Sequence, residues 1–206
     1  MSSTGRSNVR IVNDFYPTPR WPIRRLFEVY SPPPGNWLEP GAGNGSIIRS
    51  VNILRPTLAS WTAVELRRQA YIELFNLDVK TYITDYLTWA RQYRDAKLAR
   101  FKVAIGNPPY SLAEEFIRAS LEISDEVIFL LRLNYLGSDK RSIWLGDNPP
   151  DVLVLPNRVS GTQDGHTDST EYAWFIWRRE QLYKRILGGI GILKATPLKE
   201  RQEDYK

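Results

Sequence analysis

The chain has no cysteine and only one histidine in 206 residues. Without cysteine there is no disulfide framework, no thiolate metal site and no cysteine nucleophile. With a single histidine as well, a structural zinc site lacks its ligands, and no metal is expected. No stretch of about 18 apolar residues occurs, so nothing reads as a membrane span. The opening Met1-Ser2-Ser3-Thr4-Gly5 has no apolar signal core, and residues 1–12 read as a disordered tail. A reducing cytoplasm is the expected location. Neither sign of charge dominates: 28 basic and 23 acidic residues leave a net +5, which by itself suits many kinds of protein.

What is present is a series of short apolar runs, each ending in a residue that can hold a ligand. The length suits one α/β domain. The spacing predicts a helix from Trp21 to Tyr30. It predicts strands ending near Pro40, over Ser60–Val64, over Lys80–Thr84 and over Phe101–Gly106. Leu112 to Ile123 has near-helical apolar spacing. Val127 to Leu133 reads as a central parallel strand buried on both faces. Val152–Leu155 and Tyr172–Trp177 read as two more strands. Gly188–Leu193 reads as an edge strand or a mobile tail, in a charged C-terminal extension over 181–206.

The segment Glu39-Pro40-Gly41-Ala42-Gly43-Asn44-Gly45-Ser46 reads as strand end, glycine turn and helix start. Glycine admits positive φ and lets a ligand approach the backbone closely. Ser46 and Asn44 are candidate helix caps. No Gly-Lys-Ser/Thr follows, so this is not a nucleotide P-loop. Glu65 ends the second strand, some twenty residues beyond the turn, where Rossmann-like folds hold ribose hydroxyls. The same Glu also suits the first turn of a helix. Asp85 ends the third strand, with Tyr86 and Leu87 after it. It reads either as an acceptor for an adenine amino group or as a helix cap. Ligands in open α/β sheets bind at the carboxyl ends of strands.

The fourth strand leads into Asn107-Pro108-Pro109-Tyr110. Read as residues, this is a proline turn with two acceptors at its head. One is the Asn107 side-chain oxygen; the other is the carbonyl of Pro108, a residue without an N–H of its own. Pro109 biases Pro108 toward extended geometry. Tyr110 supplies a ring face on which a flat group can stack.

The Asn-Pro-Pro-Tyr turn and the glycine turn together resemble the S-adenosylmethionine-dependent methyltransferases that modify exocyclic amino or amide nitrogens. Asp14-Phe15-Tyr16-Pro17-Thr18-Pro19 looks like the N-terminal cofactor motif of the DNA adenine-N6 methyltransferases, and the motifs follow that family's gamma order, in the manner of its small phage members. The resemblance spans roughly Asp14 to Trp177. It implies a class I, Rossmann-like domain over 13–180, with a mostly parallel seven-stranded sheet and helices on both faces. It implies S-adenosylmethionine as cofactor, held by Phe15, Tyr16, Thr18, Pro19, Glu39, Pro40, Gly41, Ala42, Gly43, Glu65, Asp85, Tyr86 and Asn107. It makes Asn107, Pro108, Pro109 and Tyr110 the catalytic turn, acting on adenine N6 in a flipped-out base of DNA. Cytosine N4, RNA adenine and a protein glutamine amide are alternative acceptors. A catalytically silent nucleic-acid-binding partner is an alternative of another class. Many relatives carry an aromatic residue near Ser160-Gly161 that packs on the base; this chain has none there.

Two polar stretches complete the reading. Lys140 and Arg141 lie in 137–150, expected to be a loop after a strand end on the ligand side. Gln163 and His166 lie in the glycine-bearing loop 161–168. All four are candidates for contact with nucleic acid, which favours basic charge gathered on one face. Loops of this kind are also often simple connections.

Overall fold

The computed structural model describes residues 17–159, 170–180 and 189–204. A single eight-stranded sheet runs through it: β1 (Gly35–Pro40), β2 (Ala59–Glu65), β3 (Lys80–Ile83), β4 (Phe101–Gly106), β5 (Ser124–Arg132), β6 (Asp151–Leu155), β7 (Tyr172–Arg178) and β8 (Ile190–Ile192). The strand order is 3-2-1-4-5-7-6-8. Among the described strands only β7 is antiparallel to its neighbours. Seven strands were expected. The eighth is a three-residue edge strand pairing with β6, from Val152 opposite Ile190 to Val154 opposite Ile192.

The helices are α1 (Arg20–Val29), α2 (Ser46–Leu54), α3 (Tyr71–Phe75), α4 (Tyr86–Asp95), α5 (Ala113–Ile123), α6 (Asp139–Asp147) and α7 (Leu198–Glu203). Strand side chains alternate between two cores. On β5, Ile128 and Leu130 join α1, α2 and α3; Val127, Phe129 and Leu131 join α4 and α5. On β7, Trp174 and Ile176 take the first side, Phe175 and Trp177 the second. Burial on both faces is why these strands read as unbroken apolar runs rather than as alternating ones.

One expectation needs correction. The stretch 137–150 is not all loop, because α6 occupies most of it. Its own residues give little amphipathic signal. Trp144 anchors it by packing on Trp177, with ring centroids 6.1 Å apart, and under the Arg118 guanidinium at 4.7 Å. In the C-terminal stretch the edge-strand alternative is the one present, as β8, and the residues after it are packed down. Leu193 and Thr196 are buried, Arg25 donates to Thr196 Oγ1 at 2.9 Å, and Arg24 pairs with Glu200 at 2.8 Å. That segment straps α1 onto the sheet. Among the described residues no helix is long and apolar enough to cross a membrane.

Candidate active site

In the strand order 3-2-1-4-5, successive strands are added on one side of β1 and then, from β4, on the other, which puts the topological switch point between β1 and β4, where open α/β sheets bind ligands at the strands' carboxyl ends. The glycine turn leaves β1 there and the Asn-Pro-Pro-Tyr turn leaves β4. They lie close together: a Cβ added to Gly41 would reach van der Waals contact with the Phe116 ring at 3.5 Å and Pro109 Cδ at 3.9 Å. Gly41, Gly43 and Gly45 all have positive φ. At Gly45 the requirement comes from φ +77°, and a Cβ would in addition stand 2.4 Å from Leu77 Cδ1, the end of a side chain that would have to move.

Gly45, not Ser46 or Asn44, occupies the cap of α2, and no side chain caps that helix. Ser46 Oγ instead accepts the backbone N–H of Thr18 at 3.1 Å. Asn44 Oδ1 is buried without a hydrogen-bond partner.

Two carboxylates flank the turn. Glu65 is buried; its Oε2 accepts the Gly43 N–H at 2.7 Å, and its Oε1 accepts Arg67 Nε at 2.9 Å and Arg67 N at 2.8 Å. Glu39 is 2% exposed and its Oε2 has no partner. Burial holds the Glu39 carboxyl well above the usual carboxylate range, and the nearby Glu65 charge pushes the same way. The Ile48 N–H in the first turn of α2 and the Arg49 charge oppose the shift.

At the catalytic turn, Asn107 Nδ2 donates to Thr18 Oγ1 at 3.2 Å. Asn107 Oδ1 is buried and has no partner. Within the turn, the Leu112 N–H takes the carbonyl of Pro109 at 2.9 Å, not that of Pro108. Tyr110 is half-buried, and Tyr172 lies beside it at 5.9 Å between ring centroids. Burial raises its hydroxyl pKa strongly, so it stays protonated. One ring face is already covered: the Arg132 guanidinium sits 4.5 Å from the Tyr110 centroid.

Thr18 bonds Asn107, Gly43 bonds Glu65, and Gly41 lies near Pro109, all at the strand ends around the switch point; Glu39 and Pro40 end β1 there. Pro19 is buried at the cap of α1, and Ala42 is buried in the core. Asp85 is exposed and caps α4, accepting the Thr88 N–H at 2.8 Å. It is strung beside Glu65 by the Thr84 N–H to Glu65 carbonyl bond of 2.9 Å. Tyr86 is a correction. It is 3% exposed, packs on Phe116 at 4.7 Å and hydrogen-bonds Ser120, so its ring belongs to the core; half-buried Leu87 is the neighbour left at the surface. Lys140 is exposed on α6, but Arg141 is tied to Tyr135, donating to its carbonyl at 3.0 Å and covering its ring at 4.5 Å. Phe15, Tyr16, Gln163 and His166 lie outside the described residues.

Arg132 and Tyr172 are the neighbours of Tyr110 that sequence reasoning passed over. The signal for Arg132 was its charge inside the apolar run Val127–Leu133, the same kind of signal that marks Glu65 at a strand end.

No protein-family model matches the chain, and no curated protein matches it in sequence. Solved structures do match. One is a protein from Pyrococcus horikoshii provisionally described as an RNA methyltransferase, with a TM-score of 0.60 at 16% identity, covering 84% of this chain and 91% of that one. Another is the methyltransferase subunit of a type I restriction-modification system from Streptococcus thermophilus, with a TM-score of 0.55 at 12% identity, covering 75% of this chain and 42% of that one. A third, from Listeria monocytogenes and provisionally described as a class I S-adenosylmethionine-dependent methyltransferase, has a TM-score of 0.54 at 12% identity, covering 91% and 69%. The chain has the Rossmann-like methyltransferase fold. At these identities the likeness is one of fold.

Proposed function

We propose that the protein transfers a methyl group from S-adenosylmethionine to the exocyclic N6 amine of adenine in DNA, acting on a base turned out of the duplex. The observation that carries this reading is Asn107 Oδ1: a buried acceptor without a partner, at the head of a proline turn that lies close to the glycine turn. A lone acceptor out of water costs stability, about 1–3 kcal/mol, unless a donor reaches it. An NH2 group is such a donor, and the Pro108 carbonyl is the second acceptor it would meet. Two fixed acceptors draw an aromatic amine away from conjugation with its ring. They also stabilise positive charge developing on the nitrogen, an electrostatic effect of pre-placed dipoles.

The residues around the glycine turn fit the cofactor. Glu39 Oε2 and Asn44 Oδ1 are, like Asn107 Oδ1, buried acceptors without partners, and they suit an ammonium-bearing ligand. Glu65 and Asp85 suit ribose hydroxyls and an adenine amino group. S-adenosylmethionine, when bound there, supplies an activated methyl group on a sulfonium. The chain's own contribution is placement of the acceptor nitrogen, for which correct orientation is worth roughly 7–11 kcal/mol.

Turning a base out of the stack costs a few kcal/mol, and stacking on an aromatic ring returns about 1–3 kcal/mol. Tyr110 offers that ring once the Arg132 guanidinium gives way. The choice of DNA rests on the resemblance to the adenine-N6 family; neighbours in fold are named for restriction-modification and for RNA.

The test is nucleoside mass spectrometry after incubating unmethylated DNA with the protein and S-adenosylmethionine. N6-methyladenine is the expected product. N4-methylcytosine would keep the mechanism and change the base. No product on DNA with cofactor bound would move the acceptor to RNA or a glutamine amide. No cofactor binding would leave a silent nucleic-acid-binding partner.

A further inference from the structure

We infer that Thr18 is a positioning residue that orients the Asn107 amide, so that Oδ1 rather than Nδ2 faces the acceptor group. This rests on the function proposed above for Asn107 and carries it one residue outward. The sequence resemblance gives Thr18 to the cofactor; the geometry gives its hydroxyl to Asn107.

An asparagine amide has two orientations of nearly equal shape, and only its polar neighbours choose between them. With Nδ2 outward, a donor would face the donor NH2 of the acceptor and the turn would lose its purpose. One neighbour engages the amide: Thr18 Oγ1 accepts from Nδ2 at 3.2 Å. Oδ1 is left buried without a partner.

Thr18 is itself held rigidly. It stands between Pro17 and Pro19, each with fixed φ and no N–H. Pro19 biases it to extended backbone. Its own N–H donates to Ser46 Oγ at 3.1 Å, in the first residue of the helix that follows the glycine turn. It is 4% exposed. The helix that starts after Pro19 is strapped down through Arg24–Glu200 and Arg25–Thr196. A hydroxyl can donate as well as accept; held this firmly, it meets the amide through Nδ2, and its link to Ser46 ties that arrangement to the floor of the glycine turn.

The test compares Thr18→Val, which removes the hydroxyl at nearly constant shape, with Thr18→Ser, which keeps it. The first readout needs no catalysis. In protein labelled with 15N-asparagine, the Asn107 side-chain amide resonance is identified by its absence in Asn107→Ala. Thr18→Val is expected to shift this resonance and speed its hydrogen exchange about tenfold or more, and Thr18→Ser to restore both. The second readout is single-turnover methyl transfer. Thr18→Val is expected to lower the rate about 10–100-fold, in keeping with the cost of a small misplacement at a reacting centre. S-adenosylhomocysteine affinity should stay within about threefold, and Thr18→Ser should recover most of the rate. In an Asn107→Ala background Thr18→Val should cost less than about twofold more, since the two act as one unit.

An unchanged Asn107 resonance in Thr18→Val overturns the inference. So does an equal rate loss in both backgrounds, or a fall in cofactor affinity that accounts for the rate. If the unsubstituted protein methylates nothing, the proposed function fails, and the resonance alone still decides what Thr18 does to Asn107.

Discussion

Replacing Asn107 by alanine removes one of the two acceptors proposed to hold the substrate amine and changes little else. The structural effect is small and can be worked out. The substitution loses the 3.2 Å bond to Thr18, worth about 1 kcal/mol net, and it also removes Oδ1, a buried acceptor without a partner, whose burial itself costs about 1–3 kcal/mol. These terms oppose each other, so folding stability should rise by about 0–2 kcal/mol. For a chain of this size that is a Tm increase of at most about 4–8 °C. The catalytic cost is larger. Loss of one pre-placed polar group at a site of developing charge costs about 2.7–4 kcal/mol, a rate decrease of about 10²–10³. The assay pairs single-turnover transfer of a labelled methyl group with calorimetric titration of S-adenosylhomocysteine. The expected result is a rate down by at least about a hundredfold and a Kd within about threefold. A variant rate within about threefold of the unsubstituted protein would refute the two-acceptor reasoning. A Kd that weakens in step with the rate would show instead that Asn107 serves cofactor binding.

The other predictions address the cofactor cradle, the turn and the acceptor side. Because the folded-state pKa of Glu39 is raised, the stability it contributes is present below the ordinary glutamate pKa and is lost as pH rises through the folded value. Glu39→Gln should therefore raise the Tm of the ligand-free protein more at about pH 8 than at about pH 5; equal shifts at both would contradict the burial argument. Gly45→Ala adds a Cβ at 2.4 Å from Leu77 and at φ +77°. It should destabilise by roughly 2–4 kcal/mol in urea unfolding, combining the left-handed penalty with overpacking. Arg132→Gln uncovers the Tyr110 ring without touching the glycine turn. S-adenosylhomocysteine affinity should stay unchanged while the KM for oligonucleotide shifts by about threefold or more, since guanidinium–ring contacts are worth about 0.5–2 kcal/mol; movement of the cofactor Kd would place Arg132 elsewhere in the mechanism.

Much of this protein is fixed by local pattern. Phe101–Gly106 was legible to the residue, and the other strands to within a few residues, because a largely buried strand needs a short run dominated by apolar side chains; in Phe101–Gly106 only Lys102 interrupts it. The glycine turn and the Asn-Pro-Pro-Tyr turn were legible because positive φ and a missing N–H are demands that few residue types meet. Helix α6 was not legible: Trp144 finds its partners, Arg118 and Trp177, far along the chain, and no pattern within 137–150 encodes that contact. Nor was the fate of individual side chains at the strand ends. Tyr86 and Leu87 are adjacent, and a rotation of about 100° along the helix buries one and exposes the other. Arg132 meets Tyr110 only because β5 lies beside β4. Thr18 meets Asn107 across 89 residues of sequence. The sequence alone determined which chemical groups stand at the ends of the strands, because those follow from local backbone demands. The tertiary structure alone decided which of them face one another, because strand order and helix packing set those distances and neither is a local property.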